Sequence, residues 1–208
     1  MNLMMLLEMA VSGFGDRVAV RSGTEELTYQ QLFDAAGAAA AELEASECEN
    51  AALLDVNSLA VPVGLFASAW AGRPFVPLNY RLADAEIAAL AERIAPSLLV
   101  ASPERADALA ELPRTTVVAR ERFLPRVLGA PAREPNWPMD PDAIAILLFT
   151  SGTTGAPKAA VIRHKHLVSY IFGSVEFGGA GEDEAALVSA PPYHIAGMAA
   201  ITSSVYPG

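Results

Sequence analysis

The stretch Ala145–Leu167, AILLFTSGTTGAPKAAVIRHKHL, decides how the chain is read. An apolar run that begins at Ala143 (AIAILLF, Ala143–Phe149) passes into six consecutive Ser, Thr and Gly residues: Thr150, Ser151, Gly152, Thr153, Thr154 and Gly155. Pro157, Lys158 and a second, partly β-branched run, AAVIR, follow. A continuous apolar run is the pattern of a strand buried on both faces of a sheet. The carboxyl ends of such strands form the ligand-binding edge of an α/β protein. A loop without bulk can turn backbone N–H groups and hydroxyls onto an anion at that edge. Lys158 adds a positive charge, and the combination suits a polyphosphate.

The nearest rival is the phosphate loop G-x-x-x-x-G-K-[ST], which runs from a strand into a helix. Here Gly152 and Gly155 stand three apart, Lys158 lies three past Gly155, and Ala159 occupies the place of the magnesium-binding Ser/Thr. Pro157 also disfavours helical geometry at Ala156. The expectation is therefore strand–loop–strand. A turn that binds nothing explains three or four such residues; six in a row, closed by Pro and Lys behind a buried strand, point to a ligand.

Upstream, RVAVRSG alternates into a turn at Gly23, and ELTYQQLFDAAGAAAAELEA supplies a hairpin end and a helix with Thr28 as its N-cap. NAALLDV, PFVPLN, SLLVAS and TTVVA read as strands, and Leu59–Ala71 and Asp84–Ile94 as helices between them. Strands alternating with helices predict an α/β fold, a mostly parallel sheet flanked by helices. Pro125–Pro141 holds five prolines and reads as a connecting loop. Trp70, Phe66 and Phe75 are assigned to the core.

Composition narrows the function. With 208 residues, 52% hydrophobic and 18% charged, the chain is an ordered globule of one large or two small domains. Fourteen Lys and Arg against 24 Asp and Glu give a net charge of −10, which disfavours nucleic acid and leaves an anionic ligand to local donors. Cys48 is the only cysteine, so the chain forms no internal disulfide and no cysteine metal cluster, and a cytoplasmic setting is expected. The apolar start MNLMMLLEMAVSGFGDR lacks a basic n-region and is interrupted by Glu8, so an amphipathic first helix is expected in preference to a signal peptide. Leu59–Gly72 is too short for a transmembrane segment and contains Pro62.

LLFTSGTTGAPK, Leu147–Lys158, closely resembles the AMP-binding signature of the adenylate-forming superfamily, which includes acyl-CoA synthetases. Three more elements appear in the family's order. ELTYQQL (Glu26–Leu32) is similar to LTYxEL, AWAGRPFVPLNYRL (Ala69–Leu82) to KAGAxYVPLNPRL, and APPYHIAGM (Ala190–Met198) to PLFHxxG. The resemblance implies that residues 1–208 are an incomplete N-terminal domain of an adenylate-forming enzyme. It implies ATP-dependent activation of a carboxylic acid, expected to be a fatty acid with an aromatic acid left open, to an acyl adenylate. Transfer to coenzyme A follows, with Mg2+ as the implied metal.

By the same resemblance, Thr150, Ser151, Gly152, Thr153, Thr154, Gly155 and Lys158 embrace the β and γ phosphates while the substrate carboxylate attacks the α phosphorus. Tyr193 and His194 lie beside the acyl substrate and the adenylate. Amino-acid-activating relatives tend to carry Asp where this chain has His194, so an acid without an α-amino group is expected. The chain departs from the family's KGV after the loop, having Ala159 and Ala160. His164 and His166, two apart, do not share a helix face and have no Cys or further His nearby to complete a metal site. His164 is assigned to structural capping at the following helix, and Arg163 and Lys165 to solvated charges. The family's adenine, ribose and catalytic-lysine elements would lie beyond Gly208, so no residue here is assigned as catalytic. The chain alone is expected to form no adenylate and to self-associate through surface that the remainder would cover. A non-catalytic nucleotide-binding or scaffolding fragment is the alternative, and the sequence downstream of Gly208 separates the two.

Overall fold

The computed structural model of the chain describes residues 1–131, 133–150 and 157–208. Helix α1 (Met4–Phe14) turns Met4, Leu6, Leu7 and Ala10 inward and leaves Glu8 in water. Strands β1 (Val18–Ser22) and β2 (Glu25–Thr28) pair antiparallel about Gly23, whose φ of 62° suits a residue without Cβ. Thr28 caps α2 (Tyr29–Ala45): its hydroxyl accepts from the Gln31 N–H, and the Gln31 side chain accepts from the Thr28 N–H. The reciprocal pair satisfies two donors that a helix start leaves orphaned. Strands and helices then alternate through β3 (Asn50–Leu54), α3 (Ala60–Ala71), β4 (Phe75–Pro77), α4 (Asp84–Arg93), β5 (Ser97–Ala101), α5 (Pro103–Ala108), β6 (Thr115–Ala119) and α6 (Arg120–Leu128). The chain continues as β7 (Ile144–Thr150), β8 (Lys158–Arg163), α7 (His164–Ser174) and α8 (Ile195–Val205).

A six-stranded sheet runs in the order β6-β5-β3-β4-β7-β8. Every neighbouring pair is parallel except β7 and β8, and β8 forms an edge. The mostly parallel α/β architecture follows from the strand–helix alternation. Successive strand residues point to opposite faces. Ala51, Leu53, Leu98 and Val100 join the core built with α1, α2, α3 and α6, while Ala52, Leu54, Leu99 and Ala101 pack with Ile87 and Leu90 of α4 and with Ile94 just past its end. Trp70, Phe66 and Phe75 are core residues, and the Trp70 ring meets Phe33 at 4.9 Å and Trp137 at 5.0 Å between centroids. Helix α3 is buried along nearly its whole length, and among the described residues no helix is long and apolar enough to cross a membrane.

Local features differ from the sequence reading. The loop assigned to Pro125–Pro141 begins later, because α6 carries on through Pro125 to Leu128. Burial of Phe123, Leu124 and Val127 against the α2–α3 layer outweighs the lost backbone bond. Strand β7 is fully buried only at Ala145, Ile146 and Leu148, with Leu147 and Phe149 half covered. Arg163 and Lys165 are not free in solvent: Arg163 donates to the Asp142 carbonyl, and Lys165 pairs with the Asp142 carboxylate, holding it below the usual carboxyl range.

His164 does cap a helix, but a different one from that expected. Its Nδ1 accepts the Leu3 N–H at 3.2 Å, at the start of α1, while at the start of α7 it is His166 Nδ1 that accepts the Arg163 N–H. Burial, aided by the nearby amino terminus, lowers the His164 pKa to about 4 from its usual 6.5. The folded chain therefore stays unprotonated where the unfolded chain binds a proton. Stability should fall as pH drops from about 6.5 towards 4, by up to about 1.4 kcal/mol per pH unit from this residue. Urea titrations across that window should show a shallower slope for His164→Asn, which keeps an acceptor and does not titrate. An unchanged slope would remove His164 as its source.

Candidate functional site

The parallel strands deliver their carboxyl ends to one edge of the sheet, where β3, β4 and β7 are successive neighbours. Thr150 ends β7 and Lys158 opens β8, and the two are paired directly across the ladder. The Thr150 hydroxyl donates to the Lys158 carbonyl at 3.3 Å, and both residues are exposed. Lys158 thus starts a strand, as strand–loop–strand requires and a strand-to-helix phosphate loop does not. Ser151, Gly152, Thr153, Thr154 and Gly155 lie outside the described residues. Arg93 at the end of α4 donates to the Pro157 carbonyl at 2.7 Å and lies 5.0 Å from the Phe149 ring centroid. One cation so secures backbone just before Lys158 and packs on the end of β7.

The second element is the turn that holds Tyr193 and His194. His194 N–H donates to the Pro191 carbonyl at 3.1 Å, and the His194 carbonyl accepts from Gly197 and Met198 to start α8. A Cβ on Gly197 would come within 2.4 Å of the Pro191 oxygen, so only glycine permits this close approach. Tyr193 is buried and stacks at 4.5 Å on the exposed His194 ring. Its other neighbour is Tyr80, edge-on at 5.2 Å, in the loop that leaves β4. The pair Tyr193–His194 is thereby placed at the carboxyl end of β4, one strand away from Thr150. Among the described residues no hydrogen bond or ring contact joins Tyr193 or His194 to Thr150 or Lys158.

Residues the sequence reading passed over hold these loops. Arg105 pairs with Asp84 and donates to the carbonyls of Tyr80 and Leu82 at 3.2 and 3.0 Å, fixing the loop after β4. At the end of β3, one Nη of Arg120 reaches both oxygens of Asp55 at 2.9 and 2.8 Å, and Ser58 and the Val56 N–H complete the carboxylate's shell. The Asp55 side chain is 1% exposed and that of Arg120 26%. Burial works against the Arg120 charge, but Asp55 and Glu121 outweigh it and raise the pKa. Asn57, in the same loop, donates to the carbonyls of Val188 and Ala190 at 2.9 and 3.1 Å. The contacts of Arg105, Arg120 and Asn57 span large sequence separations and carry no local motif, so only the three-dimensional structure shows them.

This is the layout of an open α/β sheet whose candidate site gathers at the carboxyl edge. Residues 7–208 match the AMP-binding enzyme family. Feruloyl-CoA synthase of Amycolatopsis sp is 35% identical over 192 residues, covering 86% of this chain and 37% of that protein. A medium/long-chain-fatty-acid–CoA/3-oxocholest-4-en-26-oate–CoA ligase of Mycobacterium tuberculosis is 30% identical over 199 residues, covering 85% of this chain and 36% of the ligase. The inhibitor-bound N-terminal domain of FACL13 from Mycobacterium tuberculosis superposes with a TM-score of 0.82 at 24% identity, covering 100% of this chain and 55% of that one. The chain belongs to the AMP-binding enzyme family, and its fold is that of the N-terminal domain of adenylate-forming enzymes. It spans less than two fifths of the length of these two curated relatives.

Proposed function

We propose that this chain is part of the AMP-binding domain of an enzyme that uses ATP to convert a carboxylic acid to an acyl adenylate and passes the acyl group to coenzyme A. The observation that carries the reading is the placement of Lys158 at the start of β8, opposite Thr150, at the carboxyl edge of a parallel sheet. In this reading Thr150, Ser151, Gly152, Thr153, Thr154, Gly155 and Lys158 hold the β and γ phosphates. Fixed donors there stabilise the charge that moves onto departing pyrophosphate. Tyr193 and His194 line the acid side. Among the described residues no three His, Cys, Asp or Glu side chains cluster, and no step is derived through magnesium. A fatty acid is the proposed substrate; the similarity to a feruloyl-CoA synthase favours an aromatic acid as the second reading. The segment alone, with no residue assigned to catalysis, is proposed to be inactive.

Pyrophosphate exchange by the full-length protein, with a panel of fatty and aromatic acids, tests the reading. Any acid-dependent exchange supports activation, and its absence across the panel would overturn it. His194→Asp should lower exchange with these acids roughly tenfold or more, because two like charges about 4 Å apart repel by a few kcal/mol at the effective dielectric near a protein surface. Undiminished exchange would remove His194 from the acid side.

A further inference from the structure

The turn that carries Tyr193 and His194 is preceded by irregular chain that is mostly exposed, with Val188 packed against the core. Residues 181–187 are exposed, Leu187 by 90%, and residues 185–189 lie in neither helix nor strand. Among the described residues, the only hydrogen bonds to the backbone of residues 185–190 come from Asn57, whose Nδ2 donates to Val188 and Ala190. The amide NH2 group serves two carbonyls at once, which neither the amide oxygen nor a carboxylate in its place could do, since neither can donate. The loop bearing Asn57 is itself anchored, because Asp55 and Ser58 on either side belong to the buried Arg120 cluster. A rigid support, a two-pronged donor and a segment of irregular backbone thus stand in series, ending at Pro191-Pro192-Tyr193-His194.

We propose that Asn57 is a positioning residue for the acid side of the site: it fixes the backbone of Val188–Ala190 and so sets where Tyr193 and His194 stand relative to the carboxyl end of β4. This rests on the reading of Tyr193 and His194 as the acid-side pair. Asn57 bonds the segment that leads into Tyr193 and His194, so the effect of losing it should fall on the acid more than on ATP.

Two measurements test this. In the 208-residue chain, hydrogen exchange of the His194, Gly197 and Met198 amides, which are bonded to the Pro191 and His194 carbonyls, should accelerate about ten- to a hundredfold in Asn57→Ala, the loss expected for two neutral hydrogen bonds. Peptides from β3 and α3 should be unchanged. Asn57→Asp, which keeps the size but loses both donors, should behave like the alanine variant, and Asn57→Gln should restore protection. In the full-length protein, Asn57→Ala should raise KM for the acid about tenfold while KM for ATP stays within about twofold. Unaltered exchange of the His194, Gly197 and Met198 amides, or equal rises in the two KM values, overturns the proposal. A wild-type protein with no acid-dependent exchange would instead sink the proposed function, while the hydrogen-exchange result still decides the clamp.

Discussion

Alanine in place of Lys158 should reduce acid-dependent pyrophosphate exchange by the full-length protein roughly 10²–10³-fold, the loss typical of removing one preorganised charge donor from a reacting oxyanion. The chain carries a net charge of −10, so its general field opposes a nucleotide and the local cation has to overcome it. Lys158 is also held in place. Its backbone is paired with Thr150, the Thr150 hydroxyl bonds its carbonyl, and Arg93 grips the carbonyl of Pro157 beside it. With both strand ends anchored, neighbouring groups cannot slide in to replace the lost ammonium. The deficit should appear in kcat more than in KM for ATP, because the charge on pyrophosphate grows as the reaction proceeds. Lys165→Ala is the control, since Lys165 sits beyond the far end of β8 and pairs with Asp142. Exchange by Lys158→Ala within about threefold of wild type would show that the loop's backbone donors carry the phosphates without it.

Arg120→Ala should destabilise the 208-residue chain by about 3–5 kcal/mol, the range for removing one partner of a buried ion pair. The asymmetry of exposure sets the direction: Arg120 keeps some contact with water, whereas the Asp55 carboxylate has almost none. After the substitution that carboxylate retains only the Ser58 hydroxyl and the Val56 N–H. Asp55→Ala should cost less, because Arg120 still has Glu121 and solvent. The double variant should be more stable than Arg120→Ala alone, since it removes the stranded charge. Chemical denaturation of the three variants measures this directly. A double variant less stable than both single ones would refute the stranded-charge account.

Much of the sheet was legible because its strands are short apolar runs separated by periodic helices. The capping Thr28, the strands at Asn50 and Ser97 and the helix at Asp84 all follow from local pattern. Strand–loop–strand at the signature was legible from Pro157 and the β-branched AAVIR. Pattern does not specify the strand order, with β3 between β4 and β5, because lateral neighbours are chosen by tertiary packing. Helix α6 was hidden by Pro125, whose penalty local rules count and whose neighbours' burial they do not. Helix α5 is too short to show a period, although Pro103 at its start is a legible signal. In the candidate site, Thr150, Lys158, Tyr193 and His194 could be named from motif. Arg93, Arg105, Arg120 and Asn57 could not, because each acts on backbone carbonyls or a carboxylate supplied by distant sequence.

The cap that His164 supplies to α1 also sets a timetable for the chain's birth. Leu3 and His164 are 161 residues apart, and Asn2 waits likewise for the Pro138 carbonyl. At about 5–20 residues per second, the ribosome needs on the order of ten to thirty seconds to cover that distance. Through that interval Met4, Leu6 and Leu7 have been made but the residue that closes the start of their helix has not. The start of this helix is therefore secured late, and any slowing of translation ahead of the codon for His164 lengthens the time for which it is left without its cap.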